Sequence, residues 1–326
     1  MLAALAVLAV LGYAWLRWGS LRTDPRAVPG ASGREGTGTA GEPIPTRIPA
    51  PAHLVAVGDL HGDLAAARSA LELAGVLGKD GHWTGGETVL VQTGDVIDRG
   101  DDERALLDLL DRLAAEARAA GGAVHLLLGN HELMNAAGDL RYVSPHGFAE
   151  FMDLPGLDVS SAELVTLPFE ERPRAAAFRP GGPYARRLSE HPVALVVGDT
   201  VFVHGGLLPE HARHGIERLS QQSHTWLLGR STEGRALVER RDSPVWVRTF
   251  GLGTNLDCAA LQQMLDLVGA TRLVVGHTTQ HQGVSEACER RVWRIDVGMG
   301  SVPGAQPEVL DLSGGNVRPL RAAPAP

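Results

Sequence analysis

The chain has 326 residues, 44% of them hydrophobic and 21% charged, the balance of a globular protein and not of a disordered or collagen-like one. A core of that size needs no disulfide framework, and the two cysteines, Cys258 and Cys288, lie far apart with no CxxC pair, so they read as two buried thiols with a disulfide as the alternative. The formal net charge of −8 leaves no electrostatic footprint for nucleic acid, and no nucleic-acid partner is expected.

The N-terminal stretch 2–16 is apolar apart from Gly12 and Tyr13, with Trp15, Trp18, Arg17 and Arg22 at its end. It is shorter than the about 20 residues of a full span. Residues 1–18 are therefore expected to form an N-terminal membrane anchor or a signal peptide, which would place the protein at a membrane with the side left open. Residues 19–51 are rich in Gly, Pro, Thr and Ala and read as a flexible linker. The linker holds a GxGxxG string from Gly36 to Gly41, but no strand precedes it and Pro43 and Pro45 follow, so it is no dinucleotide site.

A globular domain is expected over 52–316, with a tail over 317–326. The short apolar run 54–57 suits a buried strand, 64–77 has helical spacing, and 88–92 is a second strand. A helix is predicted over 102–120, its first turn made acidic by Asp101, Asp102 and Glu103. A third strand covers 123–128, and strand–helix–strand–helix–strand is a parallel α/β arrangement. A long insertion, mostly helical or irregular, fills 135–190. Its arginines, Arg172, Arg174, Arg179, Arg186 and Arg187, read as a solvated face, with guidance of a phosphoprotein as the alternative. Strand-like runs follow at 193–197, 200–203, 272–275 and 292–296.

Five of these runs end in a polar cluster with glycine. They are Gly58-Asp59-Leu60-His61-Gly62-Asp63, Gly94-Asp95-Val96-Ile97-Asp98-Arg99-Gly100, Gly129-Asn130-His131-Glu132, His204-Gly205-Gly206 and Gly276-His277. In open α/β sheets, sites form beyond the carboxyl ends of strands, so clusters far apart in sequence converge in space. Asp, His and Asn without thiolate suit hard or borderline first-row metals such as Mn, Fe and Zn. One such cluster is ordinary turn chemistry; five in succession, each directly after a buried-strand pattern, are not. His131-Glu132 opens like HExxH, but Asn135 stands where the second histidine must be, which excludes a zinc protease of that type.

Together the strings GDxHG, GDxxDRG, GNHE, HGG and GH resemble the calcineurin-like metallophosphoesterases, and the DRG form points to their phosphoprotein phosphatase branch. The strings from Gly94 to Glu103, Phe178 to Gly182, His204 to Pro209 and Trp293 to Met299 are similar to those of the Shewanella-like protein phosphatases. The resemblance runs from about His53 to Leu312. It implies an α/β fold, a sandwich of two mixed β-sheets flanked by helices, with a dinuclear metal site at the strand C-terminal ends. It implies two metal ions per chain, Mn with Fe or Zn as the alternative at one site. Asp59 and His61 would hold the first, Asp95 would bridge, and Asn130, His204 and His277 would hold the second. A metal-bridging hydroxide would attack phosphorus in line. Arg99 would clamp the phosphate, with Asn130 and His131 also facing it; His131 would protonate the leaving oxygen and Asp98 would orient its imidazole. Arg248, within a WxR string, matches the second phosphate arginine. The implied activity is hydrolysis of phosphate monoesters on phosphoproteins, at phosphotyrosine or phosphoserine and phosphothreonine. A dinucleoside tetraphosphate hydrolase is the alternative, and a catalytically silent binding module the reading from another class.

Overall fold

A computed structural model describes residues 44–322. The predicted anchor over 1–18 and the GxGxxG string lie outside these residues. No helix among the described residues is long and apolar enough to cross a membrane. The expectation of a membrane-anchored protein is therefore withdrawn, since an apolar run shorter than a span was all that carried it.

Eleven strands form two sheets. In chain order they are β1 (Arg47–Ile48), β2 (Leu54–Val57), β3 (Val89–Gln92), β4 (Ala123–Leu126), β5 (Ala194–Val197), β6 (Thr200–Val203), β7 (Arg272–Val275), β8 (Ser285–Ala287), β9 (Val292–Arg294), β10 (Glu308–Asp311) and β11 (Arg318–Arg321). One sheet has the order β11-β10-β2-β3-β4 and the other β1-β5-β6-β7-β9-β8. β2, β3 and β4 run parallel, as the alternation with helices predicts, and so do β6, β7 and β9. Antiparallel β10 and the β5–β6 hairpin, turned through Gly198 and Asp199, make both sheets mixed.

Side-chain alternation accounts for the sandwich. On β5, Leu195 and Val197 join the large core shared with β2, β3 and β4, while Ala194 and Val196 face a second core. Phe202, Val274 and Trp293 point inward in the same way, and Val201, Val203, Leu273, Val275 and Val292 point outward. Successive side chains on a strand face opposite ways, so the inner set fills the space between the sheets. The outer set is covered by α10 (Cys258–Val268) through Leu261, Met264, Leu265 and Val268.

The other helices are α1 (Leu64–Leu73), α2 (Glu103–Ala119), α3 (Asn130–Ala136), α4 (Pro145–Ala149), α5 (Arg172–Phe178), α6 (Pro183–Leu188), α7 (Pro209–His214), α8 (Ile216–Leu227) and α9 (Ala236–Glu239). α1 stops short of the predicted 77 because Gly75 takes φ 73° and turns the chain away. Asp63 caps its start by accepting the Ala66 N–H at 2.8 Å. The segments leaving β2 and β9 pass close together at Gly58: a Cβ there would run into the Ile295 carbonyl oxygen.

Three expectations are corrected. Arg47 and Ile48, assigned to the linker, form β1 and pair with Val196 and Val197. Arg318–Arg321, assigned to the tail, form β11 on the edge of the other sheet. Edge strands need only one partner and little buried surface, so composition does not mark them. Cys258 and Cys288, read as thiols, are a disulfide that ties the start of α10 to the turn between β8 and β9. It closes a loop across 30 residues of sequence, which constrains the unfolded chain by roughly 3–4 kcal/mol. A Cys258→Ser, Cys288→Ser double variant should melt several degrees below the wild type; an unchanged Tm, with the wild-type bond shown intact by mass, would count against that contribution.

Candidate active site

The five clusters of the sequence converge beyond the carboxyl ends of β2, β3, β4, β6 and β7. Asp59, His61, Asp95, Arg99, Asn130, His131, Arg248 and His277 line one cavity of about 120 Å³ together with Tyr142, Trp246, Thr279 and Asp296. His204 and Asp98 stand behind it, each fully buried. His61, Asp95, Asp98, Arg99 and His277 all take left-handed backbone conformations, with φ between 47° and 72°. Non-glycine residues avoid that region, and such positions persist where the surrounding structure holds them for a purpose.

Asp95 is the centre. Its Oδ2 lies 3.2 Å from His204 Nε2, 3.8 Å from His61 Nε2 and 3.8 Å from His131 Nε2. Its Oδ1 accepts the His131 N–H at 3.0 Å. Two groups of potential metal ligands share this carboxylate, His61–Asp95–His131 and Asp95–His204–His277. Asp59 stands 3.9 Å from His61 Nε2 and accepts the His277 N–H on both oxygens. Asn130 Oδ1 lies 2.9 Å from His204 Nε2, and His277 Nδ1 lies 3.1 Å from the same nitrogen.

The donor set fits metal ions. His204 Nδ1 faces the Thr93 carbonyl at 3.0 Å and His61 Nδ1 faces the Ile97 carbonyl at 3.2 Å. A carbonyl only accepts, so those nitrogens carry the protons and each Nε2 presents its lone pair to the cluster. Side-chain acceptors thus converge on one point, and among the described residues the buried His277 Nε2 lacks a well-formed hydrogen bond. Burial, followed by Asp296 and Asp95, pushes the Asp59 carboxyl well above its ordinary value. Burial pushes His61 down to about 3, and burial together with His204 pushes His277 down to about 2. Crowded carboxylates beside imidazoles kept neutral are a surrounding that cations relieve.

His131 is held differently from His61, His204 and His277. Its Nδ1 meets Asp98 Oδ2 at 2.7 Å, and its Nε2 faces the cavity 3.4 Å from Arg99 Nη2. Burial works to lower its pKa, but Asp95 and Asp98 outweigh that and the ring is raised above its ordinary value. Arg248 donates to the His277 carbonyl at 2.6 Å and to Thr278 Oγ1 at 3.1 Å, which fixes its guanidinium in the wall of the cavity that Arg99 also lines.

Several residues of the site escape sequence reasoning. Glu132 accepts the Asp95 N–H at 2.9 Å, the Gly129 N–H at 2.8 Å and the Val96 N–H at 2.8 Å, so it holds the left-handed loop that carries Asp95. Arg174, read as part of a solvated face, is 0% exposed. Its guanidinium donates to Asp98 Oδ1 at 3.0 Å, Glu103 Oε2 at 2.6 Å, Asn135 Oδ1 at 2.8 Å and the Gly147 carbonyl at 3.0 Å. It lies against the rings of Phe151 and Phe178, 5.0 Å from each centroid. Asn135 completes the cradle by donating to Asp98 Oδ1 at 2.9 Å. Nothing local in the sequence signals these contacts, because the hydrogen-bond partners lie 27 to 76 residues away. For Tyr142, Trp246 and Asp296 the only signal is position: Asp296 follows β9 as the other acids follow their strands.

Ligand groups that share one carboxylate suit a pair of cations, and two guanidiniums facing them suit a phosphate; these features define a metal-dependent phosphoesterase. The sequence matches the calcineurin-like phosphoesterase family over residues 52–280. The chain belongs to that family, whose members hold two metal ions. It is 41% identical over 305 residues to Shewanella-like protein phosphatase 2 of Arabidopsis thaliana, covering 83% of this chain and 78% of the relative. It is 29% identical over 257 residues to Shewanella-like protein phosphatase 1 of Plasmodium berghei, covering 76% and 67%. A cold-active protein-tyrosine phosphatase of a psychrophilic Shewanella species has the same fold, with a TM-score of 0.69, 24% identity, and coverage of 85% of this chain and 80% of that one.

Proposed function

We propose that the chain is a phosphoprotein phosphatase in which Asp59, His61 and Asp95 hold one metal ion and Asp95, Asn130, His204 and His277 the other. The observation that carries this is the Asp95 carboxylate, within 3.8 Å of imidazoles from three separate segments of the chain. When bound, the two ions supply positive charge beside the phosphate and a water acidic enough to serve as nucleophile near neutral pH. Manganese is the proposed metal, since oxygen and imidazole donors without thiolate suit it.

The chain's own residues do the rest. Arg99 and Arg248 both line the cavity and receive the phosphate oxygens, a task for which a planar guanidinium is shaped. His131 Nε2 delivers a proton to the leaving oxygen while Asp98 holds Nδ1. Arg174 and Asn135 fix Asp98 in turn and so position the acid without touching substrate. A protein substrate is favoured by the two relatives named as protein phosphatases and by the open rim that Tyr142 and Trp246 form.

The full chain should hydrolyse aryl phosphate and phosphopeptides, lose activity in EDTA and regain it on addition of Mn²⁺. Phosphotyrosyl and phosphoseryl peptides assayed side by side give the substrate class. A chain loaded with two metal ions that left every monoester intact would sink the reading, and a dinucleoside tetraphosphate would be tried next.

A further inference from the structure

Beyond Tyr142 and Trp246 lies a second cavity of about 250 Å³, walled by both of these residues and therefore one side chain's width from the catalytic cavity. Met134, Ala137 and Val238 supply an apolar lining, and Arg141, Arg235, Arg241, Asp139 and Glu239 a charged one. Two of the three guanidiniums are already engaged. Arg141 grips Asp139 with two bonds of 2.7 Å, and Arg235 meets Glu239 at 2.6 Å. Arg241 has no carboxylate partner among the described residues; its guanidinium lies over the Trp246 ring, 4.8 Å from the centroid. The cavity thus offers one uncompensated positive charge against an aromatic wall.

Its size decides what enters. Small-molecule sites occupy about 300–1,000 Å³, so this cavity suits one side chain and not a second whole ligand. Its position decides where that side chain comes from. Neighbouring residues of an extended peptide are about 3.5 Å apart, so a phosphorylated residue in the catalytic cavity brings a residue one or two places away to this one. Its charge decides the chemistry: a carboxylate pairs with Arg241, whereas a lysine meets the one guanidinium that Asp139 and Glu239 leave unpaired.

We infer that this cavity is a specificity subsite for an aspartate or glutamate one or two residues from the phosphorylated residue, read by Arg241. The inference rests on the protein-phosphatase reading. Arg241 lies outside the catalytic cavity and holds no residue that lines the metal centre apart from its stacking on Trp246, so its loss should leave hydrolysis of a small ester intact.

The test uses the metal-loaded full chain, phosphopeptides with Glu, Gln or Lys in turn at each of the two positions on either side of the phosphorylated residue, and an aryl phosphate. An exposed charge pair and its reversal are together worth about fivefold. At one of these positions Glu should therefore give a KM about fivefold below that of Lys with kcat unchanged. Arg241→Ala should abolish the difference and Arg241→Lys should retain part of it, both with wild-type activity on aryl phosphate. Equal KM values for Glu and Lys at every position, or a preference that survives Arg241→Ala, would overturn the subsite. Peptides left intact by an enzyme that cleaves the aryl phosphate would overturn the protein-substrate reading itself.

Discussion

Asp95→Asn is expected to reduce bound metal from two ions per chain to at most one and to lower kcat on any monoester by on the order of 10³-fold or more. Metal ions supply several kcal/mol of transition-state charge stabilisation, and each 1.36 kcal/mol is tenfold in rate. Asp95 is the only carboxylate that both ligand groups share, and the charge that lets one side chain serve two cations is lost in the amide. The fold should survive. Asn tolerates the left-handed conformation, φ 57°, better than most residues, and its oxygen can still accept the His131 N–H. Metal content by elemental analysis and kcat at saturating Mn²⁺ check this together. A variant that kept two ions and wild-type kcat would remove Asp95 from the centre of the mechanism. Asp59→Asn is expected to weaken one ion only, because in the proposed arrangement Asp59 serves one ion and is not shared.

The second large effect concerns the leaving group. His131→Asn should lower kcat by about 10²–10³-fold on a seryl phosphate, within the range general acids contribute, and clearly less on an aryl phosphate. A phenol, with pKa near 10, leaves with less protonation than an alkoxide. Equal losses on both esters would count against His131 as the acid. Arg174 extends the test into the insertion. Removing it outright leaves Asp98 and Glu103 buried without their cation, a loss of about 3–5 kcal/mol, so Arg174→Met is expected to melt lower or not to fold. Arg174→Lys keeps the charge and gives up the fork. It should fold, and it should repeat in milder form the ester selectivity of His131→Asn. A stable Arg174→Lys with uniform losses would reduce Arg174 to a structural role. Burial pushes the Glu103 carboxyl up to about 7 even beside Arg174, a measure of how dry this cradle is.

The sequence by itself determined what lies along the chain. Each of Asp59, Asp95, Asn130, His204 and His277 follows a run of buried strand residues, so type, order and direction toward one edge of the sheets were all readable. The reason is local: a strand's period, a glycine that turns it and the polar residue beyond it are neighbours in sequence. The pairing of whole sheets came from the resemblance, because the parallel units β2–β3–β4 and β6–β7–β9 look alike in pattern whether they share one sheet or two. Only the tertiary structure decided the partners of long or sulfur-bearing side chains. Arg174 has the sequence surroundings of a surface arginine, and it is buried because the insertion lays it against Phe151, Phe178 and Asp98. Cys258 and Cys288 meet because α10 and the β8–β9 turn pack side by side, and Tyr142 and Trp246 form one rim although 104 positions separate them. Local pattern fixes backbone conformation, whereas burial and pairing depend on which distant segment comes to lie across a residue, and that is a property of the assembled fold.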